Sequence, residues 1–423
     1  MKILRISGMH YAKARSLPYE CDLCLSSMPY QEQLRRFCLS FLHYGDSLTF
    51  CLQKYGYEGL EILYDVERLQ KKWAEENNCF YSHDNWQEEI LFHQIQKIKP
   101  DILFLQNAQT PSFDIMKRRK DFFPFLKRLI VFRGYPETNR ELLDYLSLAD
   151  MVLIGSPKLD KICRRNHLKP HLFPHYFDDR ILNCLEEKPD KYDVTFLGSS
   201  GYGFGWVHQP RYYYLNELLK ETKIECWLEE TVMGSSRWKE KTKRICETFI
   251  SHLPDLILQK IHESQMSHPS LQKLAFNGLA RKESIRCKST IFPDIPLGQL
   301  FPDQCHPPVF GLDMYQKLAG SKISFNKHTF AASGTVDNIR LFQATGVGSC
   351  LLTDFGSNLP ELFEADSEVV TYSSIDECLE KMRYLLENES TRKRIAVNGQ
   401  KRTLRDHTAS CRALQLHDLI EAQ

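Results

Sequence analysis

The stretch Asn338-Ile-Arg340-Leu-Phe342-Gln-Ala344-Thr-Gly346-Val-Gly348-Ser-Cys-Leu-Leu-Thr353-Asp354 reads as a short helix, a glycine turn and a buried strand ending in polar residues. Helical spacing turns Ile339, Phe342 and Ala344 inward, Gly346 is expected to end the helix with a positive φ, and Ser349 to Leu352 form the strand. Open α/β sheets gather ligands at the carboxyl ends of such strands, and free N–H groups at helix starts favour anions.

The same unit repeats on both sides of this stretch. Towards the amino terminus, strands are expected at Lys2 to Ser7, Leu60 to Leu63, Asp101 to Gln106, Arg128 to Phe132 and Met151 to Ile154. Helical patterns at Gln31 to His43, Ser47 to Tyr55 and Trp86 to Lys97 lie between them, the last stopped by Pro100. His171 to His175 would add an edge strand, because Pro174 cannot donate to a ladder. The charged segment from Phe177 to Lys191 serves as linker, and a second series opens with Tyr192 to Gly198, a glycine loop from Ser199 to Gly205, a helix from Arg211 to Glu221 and a strand from Lys223 to Leu228.

Between about residues 234 and 308 the rhythm gives way to helix-like and proline-bearing segments, read as an insertion. It resumes with a helix at Asp313 to Ala319 and a strand at Lys322 to Phe325. After the opening stretch come a short helix from Leu359, a strand at Glu368 to Tyr372 and a helix introduced by the capping box Ser374-x-x-Glu377. Helices from Ser390 and after Thr408 finish the chain. The expected fold class is α/β: two doubly wound domains, residues 1–180 and 190–400, facing across a cleft, with an insertion at 234–308 and terminal helices at 401–423.

A length of 423 residues suits two cores rather than one. Net charge is +1 with charges dispersed, which gives no electrostatic case for nucleic acid or a membrane surface. No run approaches the roughly 18 apolar residues of a membrane span, so a cytoplasmic protein is expected. The 14 cysteines are scattered through apolar patterns, as at Cys38, Cys51, Cys163 and Cys378, in the manner of reduced thiols. Cys21 and Cys24 form the one close pair, without two further ligands at comparable spacing for zinc.

The last 120 residues carry a more specific pattern. Pro308-Val-Phe-Gly311-Leu-Asp313, Ile323-Ser-Phe-Asn326-Lys-His328, Asp337-Asn338-Ile-Arg340-Leu-Phe342, Gly346-Val-Gly348, Leu352-Thr353-Asp354, Glu361-Leu-Phe363, Glu368 to Tyr372 and Gly399 to Arg402 with His407-Thr408 and Arg412 stand in order. Together they resemble the spore-maturation, CgeB-like glycosyltransferase family. The resemblance implies a GT-B glycosyltransferase that uses a nucleotide diphosphate sugar as co-substrate, needs no cofactor or catalytic metal, and serves a glycan, protein or small-molecule acceptor on the amino-terminal side.

By position in that family, Asn326, His328, Asn338 and Arg340 would line the donor pocket. The backbone at Gly346 to Gly348 would approach the nucleotide, and Asp354 or Glu361 would accept ribose hydroxyls. Arg340 suits a diphosphate through its forked guanidinium. Retaining relatives carry two glutamates where this chain has Thr335 and Gln343, and a glutamine cannot act as a base. The same architecture would also serve a nucleotide-sugar epimerase or a non-catalytic surface or coat component.

Other residues keep two readings. His10, after the first strand, is a base or a phosphate ligand, since imidazole titrates near neutral pH. Arg211 opens a helix after the glycine loop and is a phosphate contact or a surface charge. His328 is a donor contact or a satisfied core histidine, Glu361 a ribose contact or a helix-start carboxylate, and Asp46 a helix cap rather than a base. The rings of Tyr202, Phe204, Trp206, Tyr212 and Tyr214 either stack on a ligand or pack the core. His407 and Arg412 position the terminal helices.

Overall fold

In the computed structural model the described residues are 1–9, 12–42, 45–106, 110–135, 138–186, 190–203, 208–230, 254, 257, 260, 295–329, 332, 334–336 and 338–422. Most of the expected insertion, together with His10, Phe204, Gly205, Trp206 and Asp337, lies outside them.

Strands of two to eight residues make two all-parallel sheets. The first holds β1 (Lys2–Ser7), β2 (Glu58–Leu63), β3 (Ile102–Leu105), β4 (Arg128–Arg133), β5 (Met151–Ile154) and β6 (Pro170–Leu172) in the order β2-β1-β3-β4-β5-β6. Both faces are covered, which is why its central strands read as continuous apolar runs rather than alternating ones. Leu103, Leu105, Leu129 and Val131 point to one core, Ile102, Phe104, Ile130 and Phe132 to the other. β6 forms the edge, where its proline is tolerated.

The second sheet holds β7 (Tyr192–Ser199), β8 (Ile224–Glu229), β9 (Cys305–His306), β10 (Ser321–Asn326), β11 (Cys350–Asp354) and β12 (Val370–Tyr372), in the order β12-β11-β10-β7-β8-β9. The chain runs outward from β7 to β9, returns to β10 beside β7, and continues outward the other way. That reversal creates a crevice between the carboxyl ends of β7 and β10, where ligands of doubly wound sheets bind. Two six-stranded parallel sheets flanked by helices constitute the GT-B architecture of paired Rossmann-like domains.

The helix of the opening stretch is Arg340–Gly346, with Phe342 and Ala344 fully buried and Ile339 partly so. Its glycines divide the work differently from the expectation. Positive φ belongs to Gly348, at 85°, whereas Gly346 is the last helical residue. Gly346 answers to packing: a Cβ there would sit 2.6 Å from the Phe177 ring.

Ser374 caps its helix as the capping box predicts, its hydroxyl accepting from Glu377 N at 3.2 Å. Asp46 does not cap. Its Oδ1 instead accepts from Arg180 Nη2 at 2.8 Å, because that guanidinium offers a charged partner. The final helix, Ala409–Glu421, crosses back to the first sheet, where Ala409, Ala413, Leu416 and Ile420 pack with Ile3, Phe104 and Ile130. The two crossings touch: Phe177 N donates to His407 O at 2.8 Å, and Ala409 N to Phe177 O at 2.9 Å.

Candidate active site at the β7–β10 crevice

The strand ends of the second sheet present polar residues because the apolar runs stop there. β10 ends at Asn326, whose Nδ2 donates to Thr353 Oγ1 on β11 at 2.9 Å. Asn338 Nδ2 donates to Asn326 Oδ1 at 2.8 Å, and the Tyr372 hydroxyl donates to Asn326 O at 2.7 Å. Three strands and the segment before Arg340 are thus tied at one point.

Beside it, Asp354 receives three donors. His328 N and Nδ1 reach Oδ1 at 2.9 and 2.8 Å, and Lys327 Nζ reaches Oδ2 at 2.9 Å. Burial alone would raise the Asp354 carboxyl, but Lys327 and His328 outweigh it and hold it well below the usual carboxylate range. His328 is buried, at 4% exposure. Asn326, His328, Asn338 and Asp354, singled out separately in the sequence, are brought into one bonded group.

Two guanidiniums reach the same crevice. Arg211 Nε donates to Lys327 O at 2.8 Å and its Nη1 to Ser199 Oγ at 3.0 Å, so it bridges the ends of β7 and β10. Arg340 Nη2 donates to Leu197 O at 3.0 Å, and Nη1 lies 3.2 Å from Met314 Sδ. Next to Arg211, burial, with the arginine charge as a lesser cause, pushes the His208 imidazole down to about 4.

The remaining expected site residues lie elsewhere. Gly346 and Gly348 precede β11, at the amino end of a strand whose carboxyl end carries Asp354; five strand residues at ~3.3 Å each separate the two ends. Gly346 O accepts from Gln400 Nε2 at 3.0 Å, and the glycine faces Phe177. Glu361 is exposed and borders a small cavity between the two halves, with Gly155, His175 and Phe342. Gln343, in place of the family's second glutamate, donates through Nε2 to the Tyr315 hydroxyl at 3.0 Å, and Thr335 Oγ1 donates to Ala332 O at 2.6 Å.

Tyr212 and Tyr214 are core residues. His407 and Arg412 bond each other at 3.1 Å, and Arg412 also donates to Pro174 O, so both are structural. Cys21 and Cys24 are exposed free thiols, and every described cysteine is free. Among the described residues no helix is long and apolar enough to cross a membrane.

Sequence reasoning missed Lys327, Thr353 and Ser199. Lys327 stands inside the quoted Asn326-Lys-His328 run, and its position beside Asp354 follows only from the pairing of Asn326 with Thr353 in the sheet.

Comparisons with known proteins agree with this architecture. Residues 279–418 match the model of a family described as glycosyl transferase-like. No curated protein matches the chain. Among solved structures, the chain is similar to the Anabaena protein Alr3699/HepE in complex with UDP-glucose, at 11% identity over 100% of both chains with a TM-score of 0.56. It is also similar to a glycosyltransferase from Rickettsia africae, at 8% identity over 99% of this chain and 98% of that one, TM-score 0.52. A third is sucrose-phosphate synthase from Thermosynechococcus elongatus, at 9% identity over 100% and 98%, TM-score 0.51. At these identities the likeness is one of fold.

Proposed function

We propose that this protein transfers a sugar from a nucleoside diphosphate sugar to a glycan, protein or small-molecule acceptor held by the first half. The observation that carries the reading is the coincidence of the glycosyl transferase-like stretch with the bonded group Asn326–His328–Asn338–Asp354 at the topological switch point of the second sheet. Arg211, Lys327 and Arg340 supply positive charge to a diphosphate there, and stabilising the charge that develops on a leaving group is usually the main source of rate enhancement in such a transfer. The Anabaena complexes with UDP and with UDP-glucose make uridine the first nucleoside to test.

The finer reading is a metal-independent, hexosyltransferase-like, CgeB-like enzyme acting in the cytoplasm, with His10 on the acceptor side as base or phosphate ligand. Calorimetry with nucleoside diphosphates and their sugar conjugates, with and without magnesium, tests it. The expected result is saturable binding, unaffected by magnesium and at least about tenfold weaker in Arg340→Ala, the loss of one charge-assisted contact. A folded wild type that binds nothing in the panel overturns the reading in favour of a non-catalytic component. Consumption of the donor without acceptor, yielding an epimerised sugar, identifies an epimerase instead.

A further inference from the structure

Two acceptor atoms in the bonded group are buried and have no hydrogen-bond partner among the described residues: His328 Nε2 and Asn338 Oδ1. The direction of the bonds leading to each can be followed from the strand ends. The Thr353 hydroxyl points at Asp354 O, 3.5 Å away, and its oxygen accepts from Asn326 Nδ2. Asn326 Oδ1 is therefore free to accept from Asn338 Nδ2, which leaves Asn338 Oδ1 as an acceptor with its lone pairs unused.

A parallel argument covers the imidazole. An ionised carboxylate only accepts, so His328 Nδ1, 2.8 Å from Asp354 Oδ1, carries a proton. Lys327 already matches the charge of Asp354 at its other oxygen, and a doubly protonated ring would add a second buried cation to one carboxylate. The ring is thus the Nδ1–H tautomer, and Nε2 offers a lone pair.

We infer that the ligand presents ring hydroxyls, those of a sugar, to His328 Nε2 and Asn338 Oδ1, and that its phosphates lie elsewhere in the crevice. An ionised phosphate oxygen only accepts, so against this pair it would set lone pairs against lone pairs; hydroxyls satisfy both atoms at once. The inference rests on the nucleotide-sugar reading and specifies which part of that ligand the pair holds. Ribose and the transferred sugar share this chemistry, and the experiment separates them.

The full chain, His328→Ala and Asn338→Ala, each checked for folding by its melting curve, are titrated calorimetrically with UDP-glucose, UDP and inorganic pyrophosphate. Each variant is expected to bind UDP-glucose tenfold or more weakly while pyrophosphate binding stays at the wild-type level. A loss confined to UDP-glucose assigns the pair to the transferred sugar, and an equal loss with UDP assigns it to ribose. Unchanged UDP-glucose affinity in both variants, or an equal loss with pyrophosphate, overturns the inference. If the wild type binds none of the three, the same titrations are run with the nucleoside diphosphate sugar that the wider panel identifies, and the transferase reading falls if the panel holds none. Long-range proton–nitrogen correlation on the wild type then still judges the acceptor assignment, as it does if a variant does not fold: an Nδ1–H signature for His328 supports it, and an Nε2–H signature overturns it.

Discussion

His407 shows how much a single buried ring can decide. Its Nδ1 accepts from Arg412 Nη2 at 3.1 Å, so its Nε2 carries the proton donated to Leu362 O at 3.0 Å. Burial is the main cause that pushes this imidazole down to about 4, with the Arg412 charge adding to it. Between pH 6.5 and 4 the unfolded chain therefore binds a proton that the folded chain refuses. The stabilisation is whole above pH 6.5 and fades as pH falls towards 4, by about 1.4 kcal/mol per pH unit. His175 and His208 are likewise pushed down to about 4 by burial and add to the same loss. Denaturant melts at pH 7 and pH 5 should show a marked drop in stability, and His407→Gln, which keeps a donor and an acceptor without titrating, should show a smaller drop.

At the scale of elements, most strands were legible because both faces of each sheet are buried, whereas β9 lay inside the stretch read as an insertion. Runs such as Ile102–Leu105 and Met151–Ile154 admit no other reading once Pro100 and the turn at Gly155-Ser156-Pro157 bound them. Helix ends were legible where a side chain and its spacing act locally. The Ser374 cap is such a case, and Ser374→Ala should cost about 1 kcal/mol in denaturant melts without moving the crevice. What stayed hidden depends on distant partners. Asp46 has the sequence position of a cap, yet Arg180, far along the chain, takes its carboxylate. The last helix spaces Ala409, Ala413, Leu416 and Ile420 as an amphipathic face, and nothing local says that the face belongs against the first sheet. In the site, Asn326, His328, Asn338 and Asp354 could be named from their motif. Their joining depends on the register that sets Asn326 against Thr353, and Gly346 with Gly348 fell away because they sit at the opposite end of β11.

The whole molecule is joined where Gly346 meets Phe177. That ring also packs edge-on against Tyr315, 6.2 Å between centroids, and belongs to the core under the second sheet. A larger side chain at 346 has no room, since the obstacle is an enclosed aromatic ring rather than a flexible tip. Gly346→Val should destabilise the protein by about 1–3 kcal/mol, the cost typical of an overpacked interior, read from the shift in denaturation midpoint at unchanged slope.

Phe177 also lies in the place where the chain passes between the halves in both directions, and the two passages are hydrogen-bonded side by side. A single tether would let the halves swivel freely. A double-ply strap bends easily across its flat face and resists both shear and twist, so the halves should swing like a door on one axis, and the first half should approach and leave the mouth of the crevice along a single path.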